Sequence, residues 1–201
     1  MKISNHLLVG ENGEAVSFVK SPNYSSNVSP IYLIMHYTAG TSASGAVSWF
    51  QNPGAQASAH LVIDRDGTIV QMVPFNRRAW HAGKSKWGNL EGMNQYSIGI
   101  ELVNAGKLRK NSSGQWVNWS SKVIPSADAT VAKHKDESAE AGWHEYPEAQ
   151  IEAATKVGAL LHKTYNFTDI LGHDDVSPGR KVDPGPLFPI NSFRSIVLGR
   201  A

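Results

Sequence analysis

Apolar residues in this chain come in short bursts, and the spacing of the bursts predicts the elements. IYLIMHY (31–37) is rich in β-formers and bounded by Ser29-Pro30 and Thr38-Ala39-Gly40, which predicts a buried strand. Alternation along it puts Tyr32, Ile34 and His36 on one face. Residues 41–52 open on Thr/Ser capping candidates, carry Val47 and Phe50 inward and stop before Pro53, the pattern of a helix. SAHLVI (58–63) and TIVQMV (68–73) flank DRDG (64–67), a hairpin about a tight turn. Residues 74–96 read as loop. SIGIELV (97–103) alternates: Ile98, Ile100 and Leu102 share one face, and Ser97, Gly99 and Glu101 the other. A carboxylate midway along such a strand stands out.

Beyond this the periodicity lapses. Residues 105–146 are polar and read as an insertion covering one edge of the fold. Pro147 then opens a helix ending at Asn166, with Glu148 suited to its first turn and an inward stripe of Ile151, Thr155, Gly158 and Leu161. A brief strand at 169–171 leads into GHDDVSPGRKVDPGP (172–186), whose glycines and prolines predict neither helix nor strand. Strands mixed with helices predict an α/β domain, a sheet with helices packed on it.

Composition narrows the chemistry. At 201 residues the chain suits one domain with an insertion and can bury a core without staples. With no cysteine, disulfides, thiol nucleophiles and Cys-ligated zinc are excluded, and any metal falls to His, Asp and Glu. The net charge of +2, with no Lys/Arg run, gives no nucleic-acid footprint. No apolar run approaches the ~18 residues of a membrane span, so no membrane insertion is expected. The apolar run LLVG near the amino end is shorter than the about 7–15 residues of an export signal.

Eight histidines are available as ligands. His36 ends a strand, His173 begins the Gly/Pro loop, and Asp183 can fold back towards both. Two histidines and a carboxylate, with a fourth position for water, form a recognised catalytic zinc set, and zinc makes a nucleophile available at neutral pH. Spacing alone does not separate this from hydrogen-bonded structural histidines. Lys181 can stabilise an oxyanion or be a solvated charge, and Glu101 can carry a proton or sit in a salt bridge. Asp174 and Asp175 read as capping the loop or orienting His173, and Arg180 as bracing the loop or contacting a peptide carboxylate. Trp116, Trp119 and Trp143 read as packing the insertion's own core, with stacking on sugars as the alternative. His134, His144 and His162 read as solvated, and His6 as part of a terminal arm.

LIMHYTAG, SAHLVIDRDGTIVQMVPFNRRAWHAG, NQYSIGIELVN and GHDDVSPGRKVDPGP, in this order, resemble the type 2 N-acetylmuramoyl-L-alanine amidases, most of all the AmpD-like branch that recycles bacterial muropeptides. The likeness runs from about residue 31 to 194. It implies a single α/β domain, a central mixed β-sheet flanked by helices, with residues 1–30 as an N-terminal arm and 31–201 as the zinc amidase domain carrying the 105–146 insertion. It implies a Zn2+ hydrolase acting on the amide between N-acetylmuramic acid and L-alanine in peptidoglycan or muropeptides. His36, His173 and Asp183 match the metal ligands, Lys181 the catalytic lysine, and Glu101 the general base and acid. His60 and Trp80 match positions in the substrate cleft. Tyr37 borders the cleft where the recycling amidases commonly carry a different, polar residue, and Arg180 remains divided between brace and substrate contact. Phage lysozyme-amidases and peptidoglycan recognition proteins often have Cys at the position of Asp183 and Tyr at that of Ala59; this chain has neither. The other reading is a non-catalytic peptidoglycan-recognition module. A monomer in the cytoplasm is the default expectation, with a phage endolysin or a delivered cell-wall effector as other settings.

Overall fold

Residues 1–14 and 16–200 are described by a computed structural model. In chain order its main strands are β1 (Ser17–Phe18), β2 (Tyr32–Tyr37), β3 (Leu61–Ile63), β4 (Ile69–Gln71), β5 (Ser97–Leu102), β6 (Lys107–Lys110), β7 (Trp116–Val117), β8 (Ala129–Lys133), β9 (Glu140–His144) and β10 (Asp169–Gly172). The helices are α1 (Ala43–Gln51), α2 (Glu148–Tyr165), α3 (His173–Val176) and α4 (Ile190–Leu198). A six-stranded sheet runs in the order β10-β2-β5-β3-β4-β1. β2 is parallel to β10 and β5, and β5 is parallel to β3, while β3 and β4 form the expected antiparallel hairpin. This is the central mixed sheet flanked by helices that the family resemblance implied, and it fits the α/β domain read from the pattern.

The central strands are apolar on both faces because both faces are covered. Leu33, Met35, Ile98, Ile100 and Leu102 pack against Ala154, Val157 and Leu161 of α2 and Phe193 and Val197 of α4. On the other face Ile34 and Leu171 meet Met93 and Val176, and Val62 and Val103 meet Phe50 of α1. Ser42 caps α1 by accepting from the Gly45 N–H, and Asn166 ends α2 in the left-handed conformation at φ 54°. The buried stripe of α2 is Gln150, Ala154, Val157, Gly158 and Leu161, so Ile151 and Thr155 sit at its margin rather than its centre. The reason is Gln150: its Nε2 donates to the carbonyls of Ile63 (3.0 Å) and Val103 (3.1 Å), which draws a polar residue inward.

Three further segments differ from expectation. Residues 105–146 form an antiparallel four-stranded sheet, in the order β7-β6-β9-β8. Its strands are too short to show periodicity, and its two ends are clamped together. The Asn104 side chain donates to the carbonyls of His144 (3.0 Å) and Glu145 (3.1 Å), and His144 Nδ1 accepts the Ala105 N–H (3.0 Å). His144 is therefore buried, not solvated. The 172–186 loop contains one turn of helix, α3, where Asp175 Oδ2 accepts the Gly172 N–H at 2.7 Å. The described residues of the segment expected as an arm pack onto the domain: β1 pairs with β4, Tyr24–Asn27 pairs with Arg77–Ala79, and Leu8 is buried in the main core. Among the described residues no helix is long and apolar enough to cross a membrane.

His60 also moves. Expected at the substrate cleft, it is fully enclosed, its ring 5.8 Å from that of His81. Its Nε2 donates to the Arg77 carbonyl (2.8 Å), and its Nδ1 accepts the Gly99 N–H (3.0 Å). It thus joins β5 to the segment ahead of Trp80. Burial lowers its pKa to about 4, partly offset by the Arg77 carbonyl, so the ring is neutral when folded. Unfolded, the ring takes up its proton near pH 6.5, so folding stability is full above that pH and is lost as pH falls towards 4. The loss from this one ring is on the order of 3 kcal/mol. A His60→Asn variant is expected to be about 2 kcal/mol less stable at pH 7, because the Gly99 and Arg77 groups lose their partner. It is also expected to lose less stability than the parent between pH 7 and pH 4. Urea midpoints at the two pH values check both; equal acid loss in the two proteins would contradict the assignment.

Candidate metal centre and cleft

Parallel pairing puts three strand ends side by side. In the β2–β5 register His36 lies beside Glu101, and in the β2–β10 register Gly172, which precedes His173, lies beside Met35. Ligand sites in open α/β sheets favour this position, beyond the carboxyl ends of parallel strands. His36 and Glu101 share the face of Ile34, opposite the helices α2 and α4.

His36, His173 and Asp183 converge here, all buried. His36 Nδ1 is 2.9 Å from His173 Nδ1 and 3.1 Å from Asp183 Oδ2, and His173 Nδ1 is 2.9 Å from Asp183 Oδ2. The far nitrogens fix the tautomers. His173 Nε2 donates to the Ala82 carbonyl (3.1 Å), and His36 Nε2 lies 2.9 Å from His81 Nδ1, a contact we assign as donation from His36. Both Nδ1 atoms then carry lone pairs, directed at a carboxylate oxygen. Burial, then the neighbouring His173, lowers the His36 pKa to about 4, against the pull of Asp183. Two neutral imidazoles and one carboxylate are the deprotonated donor set that a small divalent cation requires.

The second half of the site is Glu101. Its Oε2 is enclosed and has no hydrogen-bond partner among the described residues. Burial, then the charge of Asp183, pushes its pKa up to about 8, with Lys181 pulling the other way. A buried carboxyl that titrates near neutrality is suited to taking and giving a proton. Glu101, Lys181, Asp183, Tyr37 and Trp80 line one cleft of about 770 Å³. Burial, then Asp183, raises the Tyr37 phenol, so it faces the cleft uncharged.

Arg180 braces. Its Nη2 donates to the carbonyls of Ala82 (2.8 Å) and Lys84 (2.8 Å) and to Ser177 Oγ (2.6 Å), holding the 82–84 segment against the ligand loop. The loop itself is closed by the Asp174 N–H, which donates to the Asp183 carbonyl at 2.9 Å. Asp174 Oδ2 accepts from His134 Nε2 (2.9 Å), and Lys135 bridges Asp174 and Asp175. His134, expected on a solvated surface, is buried by this pairing.

Sequence reasoning missed His81. It follows Trp80 in RAWHAG, and no spacing marked it. The available signal was Gly99: a glycine inside a strand marks a close approach. No Cβ fits at Gly99 because the His81 ring lies against it. His81 Nε2 in turn is 3.4 Å from Ser97 Oγ, which donates to the Met93 carbonyl (2.7 Å).

The family model described as N-acetylmuramoyl-L-alanine amidase matches residues 26–186. The chain is 34% identical over 144 residues to the 1,6-anhydro-N-acetylmuramyl-L-alanine amidase AmpD of Escherichia coli (strain K12), covering 71% of this chain and 59% of AmpD. It thus spans less than two thirds of that relative. It is 30% identical over 190 residues to N-acetylmuramoyl-L-alanine amidase A of Achromobacter lyticus, covering 93% of this chain and 95% of that protein. The crystal structure of a selenomethionine AmpD derivative superposes with a TM-score of 0.68 at 27% identity, covering 98% of this chain and 99% of that one. The complex of AmiD from E. coli with anhydro-N-acetylmuramic acid-L-Ala-D-gamma-Glu-L-Lys superposes at 0.61 and 28% identity, covering 84% and 58%.

His81 orients a candidate ligand, so its loss is expected to weaken metal binding without removing a donor. Competition with a chromophoric chelator is expected to show His81→Ala binding zinc about tenfold more weakly than the parent. Asp183→Ala is expected to show no binding in the same range. Parent-like affinity in a folded His81→Ala protein would remove His81 from this role.

Proposed function

The chain belongs to the N-acetylmuramoyl-L-alanine amidase family, and on that premise we propose that it hydrolyses the amide joining N-acetylmuramic acid to L-alanine in peptidoglycan or muropeptides. The observation that carries the reading is the placement of Glu101, with its unpartnered Oε2, in the same cleft as Lys181 and the His36–His173–Asp183 donor set. The muropeptide held by AmiD supports the substrate class.

We assign the metal as zinc, held by His36, His173 and Asp183. When bound, zinc supplies Lewis acidity that lowers the pKa of water to about 7 and polarises a carbonyl. The chain's own residues do the rest. Glu101 takes a proton from the attacking water and then delivers it to the departing alanine nitrogen, which would otherwise leave as an unstable anion. Lys181 places its positive charge in the cleft, where the carbonyl oxygen becomes an oxyanion as the tetrahedral adduct forms. Arg180 and His81 keep the donors in place and touch neither substrate nor reacting atom in this assignment. A non-catalytic recognition module would not need both a proton carrier and a complete donor set, so the catalytic reading is preferred.

Release of the stem peptide from a muramoyl peptide, followed by mass spectrometry, tests the proposal. Dialysis against a chelator is expected to abolish release, and added zinc to restore it. Glu101→Gln removes the titrating proton at nearly constant volume and is expected to lower kcat by about 10²–10⁴-fold while zinc binding persists. Undiminished turnover by that variant, or turnover that survives metal removal, would overturn the mechanism.

A further inference from the structure

The three tryptophans of the insertion have different surroundings. Trp143 is buried, stacked on His134 and bonded through Nε1 to the Ala132 carbonyl at 3.0 Å. Trp116 lies against Gly142, with the Lys110 ammonium 3.9 Å from its ring centre. These two pack the insertion. Trp119 does not: 74% of its surface is exposed. An indole carries 150–250 Å² of surface and normally adds much to a core, so one left in water adds little to the fold.

Trp119 is nevertheless fixed in place. Its Nε1–H donates to the Ala39 carbonyl (2.9 Å), just after β2 and its ligand His36. Its turn is locked by buried Asn118, whose Oδ1 accepts the N–H groups of Ser120 (3.1 Å) and Lys122 (2.9 Å). Lys122 Nζ then donates to Thr41 Oγ1 at 2.7 Å. The one polar atom of the indole is thus already satisfied. What remains is an apolar ring surface on the wall of the cleft that holds Glu101, Lys181 and Asp183. Trp49, 55% exposed on α1, lines the same cleft.

A fixed ring with no free donor is matched by a flat, uncharged ligand face rich in C–H groups. Pyranose rings have such faces, whereas peptide backbone would leave its N–H and carbonyl groups without partners against an indole. We propose that Trp119, together with Trp49, is a stacking platform for a sugar ring of the glycan strand that extends beyond the muramoyl unit at Glu101. This rests on the amidase reading for the direction of the strand. It makes the insertion a binding wall for polymeric peptidoglycan. A muropeptide of one sugar would leave the platform unused.

The test separates binding from turnover. The probe is a peptide-free tetrasaccharide of alternating N-acetylglucosamine and N-acetylmuramic acid, titrated by calorimetry or tryptophan fluorescence into the zinc-loaded protein. Trp119→Ala, at an exposed position, is expected to keep the melting temperature and to bind the probe about tenfold more weakly. In parallel, the ratio of kcat/KM on glycan strands to kcat/KM on a single-sugar muramoyl peptide is expected to fall about tenfold. Equal probe affinity in parent and variant, or an unchanged ratio, would overturn the platform while leaving the amidase assignment intact. Trp119-dependent binding of the probe by a parent protein that cleaves no muramoyl peptide would uphold the platform and sink the amidase assignment. Absence of both binding and cleavage would sink both.

Discussion

The site is organised around mutual repulsion of lone pairs. Two imidazole nitrogens and a carboxylate oxygen point at one another within 3.1 Å, in a place where water cannot screen them. Left alone, such a set would spread apart. It stays together because each donor is held from behind: His36 by His81, His173 by the Ala82 carbonyl, which Arg180 also holds, and Asp183 through its backbone bond to Asp174. The parallel register of β10, β2 and β5 sets the starting points of these residues, and the apolar faces on either side make the register stiff. Much of the polar hydrogen bonding near the cleft is therefore a frame that resists relaxation of the donors. A cation that binds the folded chain and not the unfolded one relieves the repulsion and adds its binding free energy to stability.

The insertion belongs to this frame. Its ends are tied at Asn104 and His144, so it leaves and rejoins the domain at nearly one point. At its far side His134 and Lys135 reach the carboxylates of Asp174 and Asp175, which directly follow the candidate ligand His173. A segment that reads as an ornament in sequence is connected by one residue to the metal centre. Trp119 extends the same segment to the opposite rim. The ligand loop and the outer wall of the cleft are consequently parts of one mechanical unit.

What could be read from sequence was whatever depended on neighbours close in the chain. His36 and Glu101 were visible as polar breaks in apolar strands, and the β3–β4 hairpin was visible from its Asp/Gly turn. Residues whose partners lie far away were misjudged. His134 has a polar flank and looked solvated; its burial comes from Asp174, 40 residues later. His60 was carried to the cleft by resemblance, yet it is fully enclosed, bonded to Arg77 and Gly99. Gln150 displaced the expected stripe of α2 because two strand-end carbonyls needed a donor, a demand that no hydrophobic pattern records. The insertion's strands, the shortest only two residues long, gave no period to detect. In His81 the signal lay in a glycine on another strand.

The separation of the donors along the chain bears on how the protein is made. His36 and His173 are 137 residues apart, while His173 and Asp183 are ten apart. During synthesis the first donor emerges with no partner, and His173 follows only 137 residues later. β10, which presents His173, pairs in parallel with β2, so its docking closes a long loop and belongs to the slow, non-local part of folding. Until β10 is in place, His36 therefore stands without His173 beside it. On the metal assignment proposed above, the complete donor set exists only once β10 has docked on β2.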